Sequence, residues 1–174
     1  MLSRQTSDDC AIRSCPCRVK SKVKTMAESC SVRPRVSIRR KLIPMSHRII
    51  QPENWISAKG YANGVLTDDG TLYVGGQIGW TAEQKFESHD FVGQMEQALE
   101  NILTVVAEAG GTAENITRLT WYVTDKKDYM ARQREVGEIY RKVMGRHFPA
   151  MTMVVVSALV EDAALLEIEA TAKI

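Results

Sequence analysis

The last ten residues, "LLEIEATAKI" (165–174), alternate without a break: Leu166, Ile168, Ala170, Ala172 and Ile174 fall on one side of an extended chain, and Glu167, Glu169, Thr171 and Lys173 on the other. Such a segment can be stable only as a strand with one dry and one wet face, so the fold must supply a second layer against the dry face. The sequence offers an obvious cover. Phe91, Met95, Ala98, Leu99, Ile102, Val106 and Ala109 recur at intervals of three and four, which predicts an amphipathic helix over about 88–109, ended by Gly110-Gly111.

The remaining pattern builds a sheet around that strand. "YANGVLTDDGTLYVGGQIG" (61–79) reads as two short strands joined at Asp69-Gly70, a dipeptide favoured in tight hairpins. "ITRLTWYV" (116–123) has the β-branched and aromatic content of a strand, and Asp125 is placed to cap a second helix with apolar positions at Tyr129, Val136, Tyr140 and Val143, ended by Gly145. After Pro149, the run containing Val154-Val155-Val156 reads as a strand over 151–159, buried on both faces: Met151, Met153, Val155 and Leu159 point one way, Val154, Val156 and Ala158 the other. The order is ββαβαββ, an α+β fold. Right-handed crossovers bring both helices to the same side of the sheet, leaving its other face open. An open face beside a strand apolar on both sides predicts a homo-oligomer in which uncovered surfaces pack together.

The 174 residues suit a single globular domain preceded by a leader of different character. Residues 1–44 contain eleven Lys or Arg against Asp8, Asp9 and Glu28, so the whole-chain charge of +2 conceals a basic leader and a remainder at −6, with 12 basic and 18 acidic residues in 45–174. All four cysteines, Cys10, Cys15, Cys17 and Cys30, lie in the leader at spacings that match no common zinc pattern and no disulfide framework. Lacking hydrophobic periodicity and rich in Ser and Arg, the leader is expected to be disordered. Three readings fit it: a segment foreign to the mature protein, with the natural start at Met45; an organelle transit segment; or a nucleic-acid-binding arm. No apolar stretch approaches the roughly 20 residues needed to span a bilayer, and the leader has no apolar run like that of a secretory signal. We therefore expect a soluble protein of the cytoplasm, or of an organelle matrix if the leader is a transit segment.

Conventional catalytic sets are missing. His47, His89 and His147 are widely separated and lack a ligand-like partner, so no metal site is expected. "VGGQIG" (74–79) has neither the dinucleotide-binding spacing nor the Lys of a phosphate-binding loop; its glycines instead suit a close approach of backbone to a neighbour or a ligand. Glu167 and Glu169 are the candidates for chemistry. Two residues apart on a strand, they project about 7 Å from each other on the face expected to be covered by another subunit. There a carboxylate is costly unless paired. Either it forms an ion pair with Lys173, Arg118 or another base, or it positions a water or a substrate proton.

Taken in order, "GYANG" (60–64), "VGGQIG" (74–79), "QALENILTVVAEAGG" (97–111), "WYVTD" (121–125), "FPAMT" (148–152) and "LEIEATA" (166–172) resemble the Rid family of reactive intermediate deaminases, once described as perchloric-acid-soluble ribonucleases or translation inhibitors. The resemblance runs from about 55 to 174. It implies a chorismate-mutase-like fold with one mixed sheet and two helices packed on one face, a homotrimer with clefts between subunits, and hydrolysis of enamines or imines to ketones and ammonia without a cofactor. Carried over residue by residue, Tyr61 falls on the family's cleft tyrosine, Gly76 on a glycine whose backbone lines the pocket, and Glu167 on the carboxylate associated with the attacking water. Met151, however, falls where the deaminating branch has an arginine that grips the substrate carboxylate, Met153 where it has a cysteine, and Gly75 replaces its serine.

An arginine fork on a carboxylate contributes on the order of 1.5–3 kcal/mol per hydrogen bond, and methionine makes none of it. The exchange predicts a softer, more apolar pocket shaped by Met151, Met153 and Trp80, and a substrate larger or less acidic than small 2-imino acids. Arg118, Arg132 and Arg134 are the candidates to replace the lost cation. Two other functions compete: a trimer that binds a small metabolite without turning it over, and RNA binding or cleavage. The second is disfavoured by the acidic charge of residues 45–174, the wrong sign for holding phosphates.

Overall fold

The computed structural model describes residues 46–174; the expectations placed on the leader, 1–44, lie outside the described residues. Six strands form one mixed sheet in the order β1-β2-β3-β6-β4-β5, where β1 is His47–Ile50, β2 Gly64–Thr67, β3 Thr71–Gln77, β4 Ile116–Val123, β5 Ala150–Val155 and β6 Leu166–Lys173. All pairs are antiparallel except β4 and β5, which run parallel. The α+β architecture is as the sequence indicates, with two additions. Strand β1 precedes the hairpin and pairs with β2, burying Ile50. The second helix is divided in two.

The alternation of the final strand holds residue by residue. Leu166, Ile168, Ala170 and Ala172 are buried under the helices while Glu167, Glu169 and Thr171 stay half-buried on the opposite face. Helix α1, Phe91–Glu108, starts three residues later than the apolar spacing suggests because Asp90 is its cap: the carboxylate accepts from the amides of Val92 and Gly93 at 3.0 Å each. Those bonds and the Ser88 hydroxyl hold the Asp90 carboxyl below its ordinary pKa. Every apolar position expected on its dry face is buried, and Gly110, at φ +95°, follows its last turn.

Asp125 caps α2, Lys126–Ala131, as its position suggests, but the helix breaks at Arg132 and resumes as α3, Gln133–Met144, ended by Gly145 at φ +67°. The break at φ −113°, ψ 16° lets two segments settle separately. Tyr129 meets Phe91 edge-on at 6.1 Å, while Val136 and Met144 reach the core. Arg132 is drawn back onto Asp128 at 2.7 Å.

The largest departure is β5. It ends at Val155, not 159, and it is an edge strand bonded to β4 on one side only. Its apolar side chains therefore stand open in the isolated chain: Met151 is 53% and Val155 54% exposed. The direction of its side chains follows from the register. Met151 pairs with Leu119, Met153 with Trp121 and Val155 with Val123, so these three share the helix-covered side, and Val154 shares the open side with Tyr122.

Candidate functional site

Two pockets matter, and they lie on opposite faces of the sheet. The first, of about 330 Å3, opens on the uncovered face and is lined by Tyr61, Gly75, Gly76, Trp80 and Glu167 among others. It is made by an irregularity in β3. The register with β6 shifts between Val74 and Gln77, so Gly75 and Gly76 bulge out of the ladder. The Gly75 amide turns to the carbonyl of Asn63 at 2.9 Å and its carbonyl accepts from Gln77 Nε2 at 3.1 Å. Both glycines answer a steric demand. A Cβ on Gly75 would stand 2.9 Å from the Ala62 carbonyl oxygen, and one on Gly76 would overlap the Glu167 carboxylate.

That close approach sets the Glu167 carboxyl against backbone. Its carboxyl has a raised pKa, first because burial disfavours the charged form and then because Glu169 adds like charge. No ion pair to Glu167 forms among the described residues; Lys173, a candidate partner from the sequence, reaches Asp69 across the hairpin instead. Tyr122 pairs with Glu167 in the ladder and faces the same side; desolvation and then Glu169 raise its phenol. Tyr61 is half exposed and accepts a long, 3.5 Å contact from Gln84 Nε2. The Trp80 ring leans on Phe86 at 6.4 Å, and Asn101 holds the backbone there by donating to the carbonyls of Ile78 and Trp80 at 3.2 and 2.9 Å. Leu159, Val160 and Glu161 also line this pocket, with Val160 97% exposed. Sequence reasoning assigned Leu159 to a strand and so missed its part; the signal available was "EDAA", which marks a turn just after it.

The second pocket, about 280 Å3, runs between α2, α3 and the edge strand on the helix side. Met151 and Met153 line it together with Trp121, and Tyr140 and Phe148 form a parallel stack at 5.5 Å along it. The seven site candidates are therefore not gathered in one pocket of a single chain. Tyr61, Gly75, Gly76, Trp80 and Glu167 come together; Met151 and Met153 sit on the other face.

None of the arginines weighed as a substitute cation lines either pocket. Arg132 is tied to Asp128, and Arg134 to Glu138 at 2.9 Å. Arg118 pairs in register with Thr171 on the open face. The guanidinium that does line the Met151 groove is Arg141, which sequence reasoning passed over. The usable signal was its spacing: Gly137 lies four residues before it, one turn away on the same helical face. Among the described residues no group of His, Cys, Asp or Glu could hold a metal ion, and no helix is long and apolar enough to cross a membrane.

A six-stranded mixed sheet with helices on one face is a fold with many solved relatives. The chain belongs to the endoribonuclease L-PSP family, whose model matches residues 53–174. A RutC family protein of Pasteurella multocida is 30% identical over 125 residues, covering 72% of this chain and 96% of the relative. The human 2-iminobutanoate/2-iminopropanoate deaminase is 32% identical over 113 residues, 64% of this chain and 78% of that protein. Among solved structures, YyfA of Yersinia pestis, a member of the conserved Rid protein family described as of unknown function, superposes with a TM-score of 0.64 at 32% identity, over 74% of this chain and 100% of its own.

Proposed function

We propose that this protein is a homotrimeric hydrolase of a small, labile enamine- or imine-type metabolite, working without a cofactor in clefts between subunits. The observation that carries this reading is Glu167: a half-buried carboxylate with a raised pKa, unpaired among the described residues and pressed against a glycine bulge in a pocket of small-molecule size. A carboxylate so placed is a stronger base than an exposed one. In hydrolysis it orients a water and takes a proton as the water oxygen adds to the C=N carbon and the π electrons move to nitrogen; that proton is passed to the nitrogen, and the C–N bond then breaks as the new hydroxyl gives up its proton to the leaving nitrogen, so that C=O forms and ammonia departs. Tyr61 and the backbone of Gly75 and Gly76 position the substrate, and Trp80 closes one wall.

Assembly brings the second half. The exposed apolar side chains of β5 need a cover, and an open edge strand is a hazard unless another chain lies over it. In the trimer we propose, the Met151 and Met153 groove of one subunit faces the Glu167 pocket of its neighbour, which explains why the candidates divide between two faces of one chain. Methionine at 151 makes small 2-imino acids poor substrates and favours larger or less acidic ones. That same methionine favours a second reading, a trimer that binds a small metabolite without chemistry. Residues 45–174 are net acidic, which speaks against RNA binding or cleavage. The site of action is the cytoplasm, or an organelle matrix if residues 1–44 serve as a transit segment.

The test is ammonia release from enamines and imines generated in situ from a panel of amino acids. Turnover that falls at least a hundredfold in Glu167→Gln, with the oligomer intact, supports hydrolysis. Ligand-induced stabilisation with no product by mass spectrometry supports the binding reading.

A further inference from the structure

We propose that Arg141 is the anion-binding residue of the Met151 groove, and that the ligand seated there is a carboxylate with a flat apolar body. The inference rests on the reading of that groove as the ligand-facing half of the cleft, and selects larger acids from the substrates left open above.

Three observations carry it. Arg141 on α3 lines the groove and has no ion-pair partner among the described residues, although Arg132, Arg134 and Lys142 nearby on the same two helices are each engaged with an acid. Its guanidinium also lies close beside the backbone of Gly137. It folds back along the helix onto Gly137, where a Cβ would stand 3.3 Å from Nη1, so the absence of a side chain at 137 makes room for it to lie flat.

The rest of the groove is apolar and aromatic. Met151 and Met153 line it with adaptable thioethers, the Tyr140–Phe148 stack presents ring surface, and Trp121 contributes an indole. A carboxylate with a planar body fits this lining: carboxylate on guanidinium, ring against thioethers and stacked rings. The groove volume of about 280 Å3 is at the lower end for such sites, which limits the ligand to about one ring plus its acid arm.

This refines what Met151 means. The side chain at 151 has lost its charge, but a cation enters the same groove from the helix opposite. The acid group is then held from α3 instead of from β5, and the thioethers of Met151 and Met153 occupy the space beside the ligand body.

The experiment compares phenylacetate with phenylacetamide, an acid and its neutral counterpart, by titration calorimetry on the full chain at low salt. The acid is expected to bind about tenfold more tightly, the scale of a lost charge-assisted hydrogen bond, and the preference should shrink as salt screens the pair. Arg141→Gln should remove the preference while leaving amide binding unchanged, Arg141→Lys should restore part of it, and Arg134→Gln on the same helix should leave it intact. Equal affinity for acid and amide, no binding of either because a second copy fills the groove, or a preference that survives Arg141→Gln would overturn the assignment. These measurements need no turnover. An acid preference found in a protein whose turnover ignores Glu167→Gln supports Arg141 and removes the catalytic reading; its absence beside Glu167-dependent turnover removes Arg141 alone.

Discussion

The two faces of the sheet solve the placement of a charged group in opposite ways. On the open face, a bulge in β3 brings the backbone of Gly76 against the Glu167 carboxyl, so close that no side chain could fit between them. On the helix side, Arg141 is laid by a flexible chain of methylenes over Gly137, and the nearest obstacle to a larger residue is its own movable tip. Both sites depend on a glycine, yet the crowding behind each differs: a Cβ at 76 would overlap the carboxylate, whereas one at 137 would only touch the guanidinium. A carboxylate used for chemistry needs placement to a fraction of an ångström, whereas a cation that holds a ligand's tail tolerates more freedom. The contrast makes a graded set of expectations.

The largest effect belongs to Gly76. In Gly76→Ala the new Cβ and the Glu167 carboxylate cannot both keep their places, and the carboxylate is the group that must move. Turnover should fall by about a hundredfold or more, the scale of an ångström's misplacement. The check is ammonia release measured beside the circular dichroism spectrum: lost activity with an unchanged spectrum confines the damage to the pocket, and full activity would mean Glu167 is not held where the bulge requires.

Next in size is assembly. Val155→Lys places a charge on the exposed apolar edge of β5, and burying a valine contributes about 1.5–3 kcal/mol at each contact that assembly would form. Sedimentation should show the oligomer shifting to monomer at micromolar concentration, with turnover lost in step if the two pockets meet only across subunits. A monomer that retained full turnover would confine the site to the open face and separate the two pockets for good.

How much of this was legible in the sequence depends on whether a signal is local. The final strand was readable in full because alternation is a property of consecutive residues, and the dry face of α1 for the same reason. Strand β1 was not, since "HRII" is too short to show a period and is stabilised only by pairing with β2. The exposure of β5 was misjudged because an apolar run looks the same in the middle of a sheet as at its edge. The break at Arg132 depends on two distant anchors, Phe91 for Tyr129 and the core for Val136, which no window of sequence contains. For the site, family resemblance pointed to Tyr61, Gly76 and Glu167, which the fold gathers in one pocket. It pointed also to Met151 as the loss of a cation. That a different guanidinium enters from α3 depends on the packing of a helix over a strand and could not be read from the aligned position.

A smaller effect concerns protonation. Burial and then Glu169 raise the Glu167 carboxyl above its unfolded value, so the protonated form is the one the fold prefers. This contribution to stability is fully present below the ordinary glutamate pKa and is lost as pH rises through the higher folded value. Glu167→Gln, which mimics the protonated state, should therefore melt at a higher temperature than the parent at neutral pH, and the difference should close as pH falls below about 4. A gap that widened on acidification would mean the carboxylate has found a cation, and would revive the ion pair that the isolated chain lacks.

The smallest effect is the counterpart of the first. Gly137→Ala also places a Cβ against a charged group, but the Arg141 nitrogen it meets at 3.3 Å is the far end of a flexible side chain and can yield by a few tenths of an ångström. The exchange removes a glycine from the interior of α3, which in an exposed helix is worth up to about 1 kcal/mol in favour of alanine. Stability should therefore rise slightly, the opposite sign to Gly76→Ala. The preference for an acid over its amide should fall, because the guanidinium is lifted from its bed without losing its charge. Thermal melting and acid-versus-amide titration on the same sample separate the two consequences. A gain in stability with an undiminished preference would show that Arg141 needs no fixed place, whereas a loss of stability would show that the groove is as rigid as the pocket on the other face.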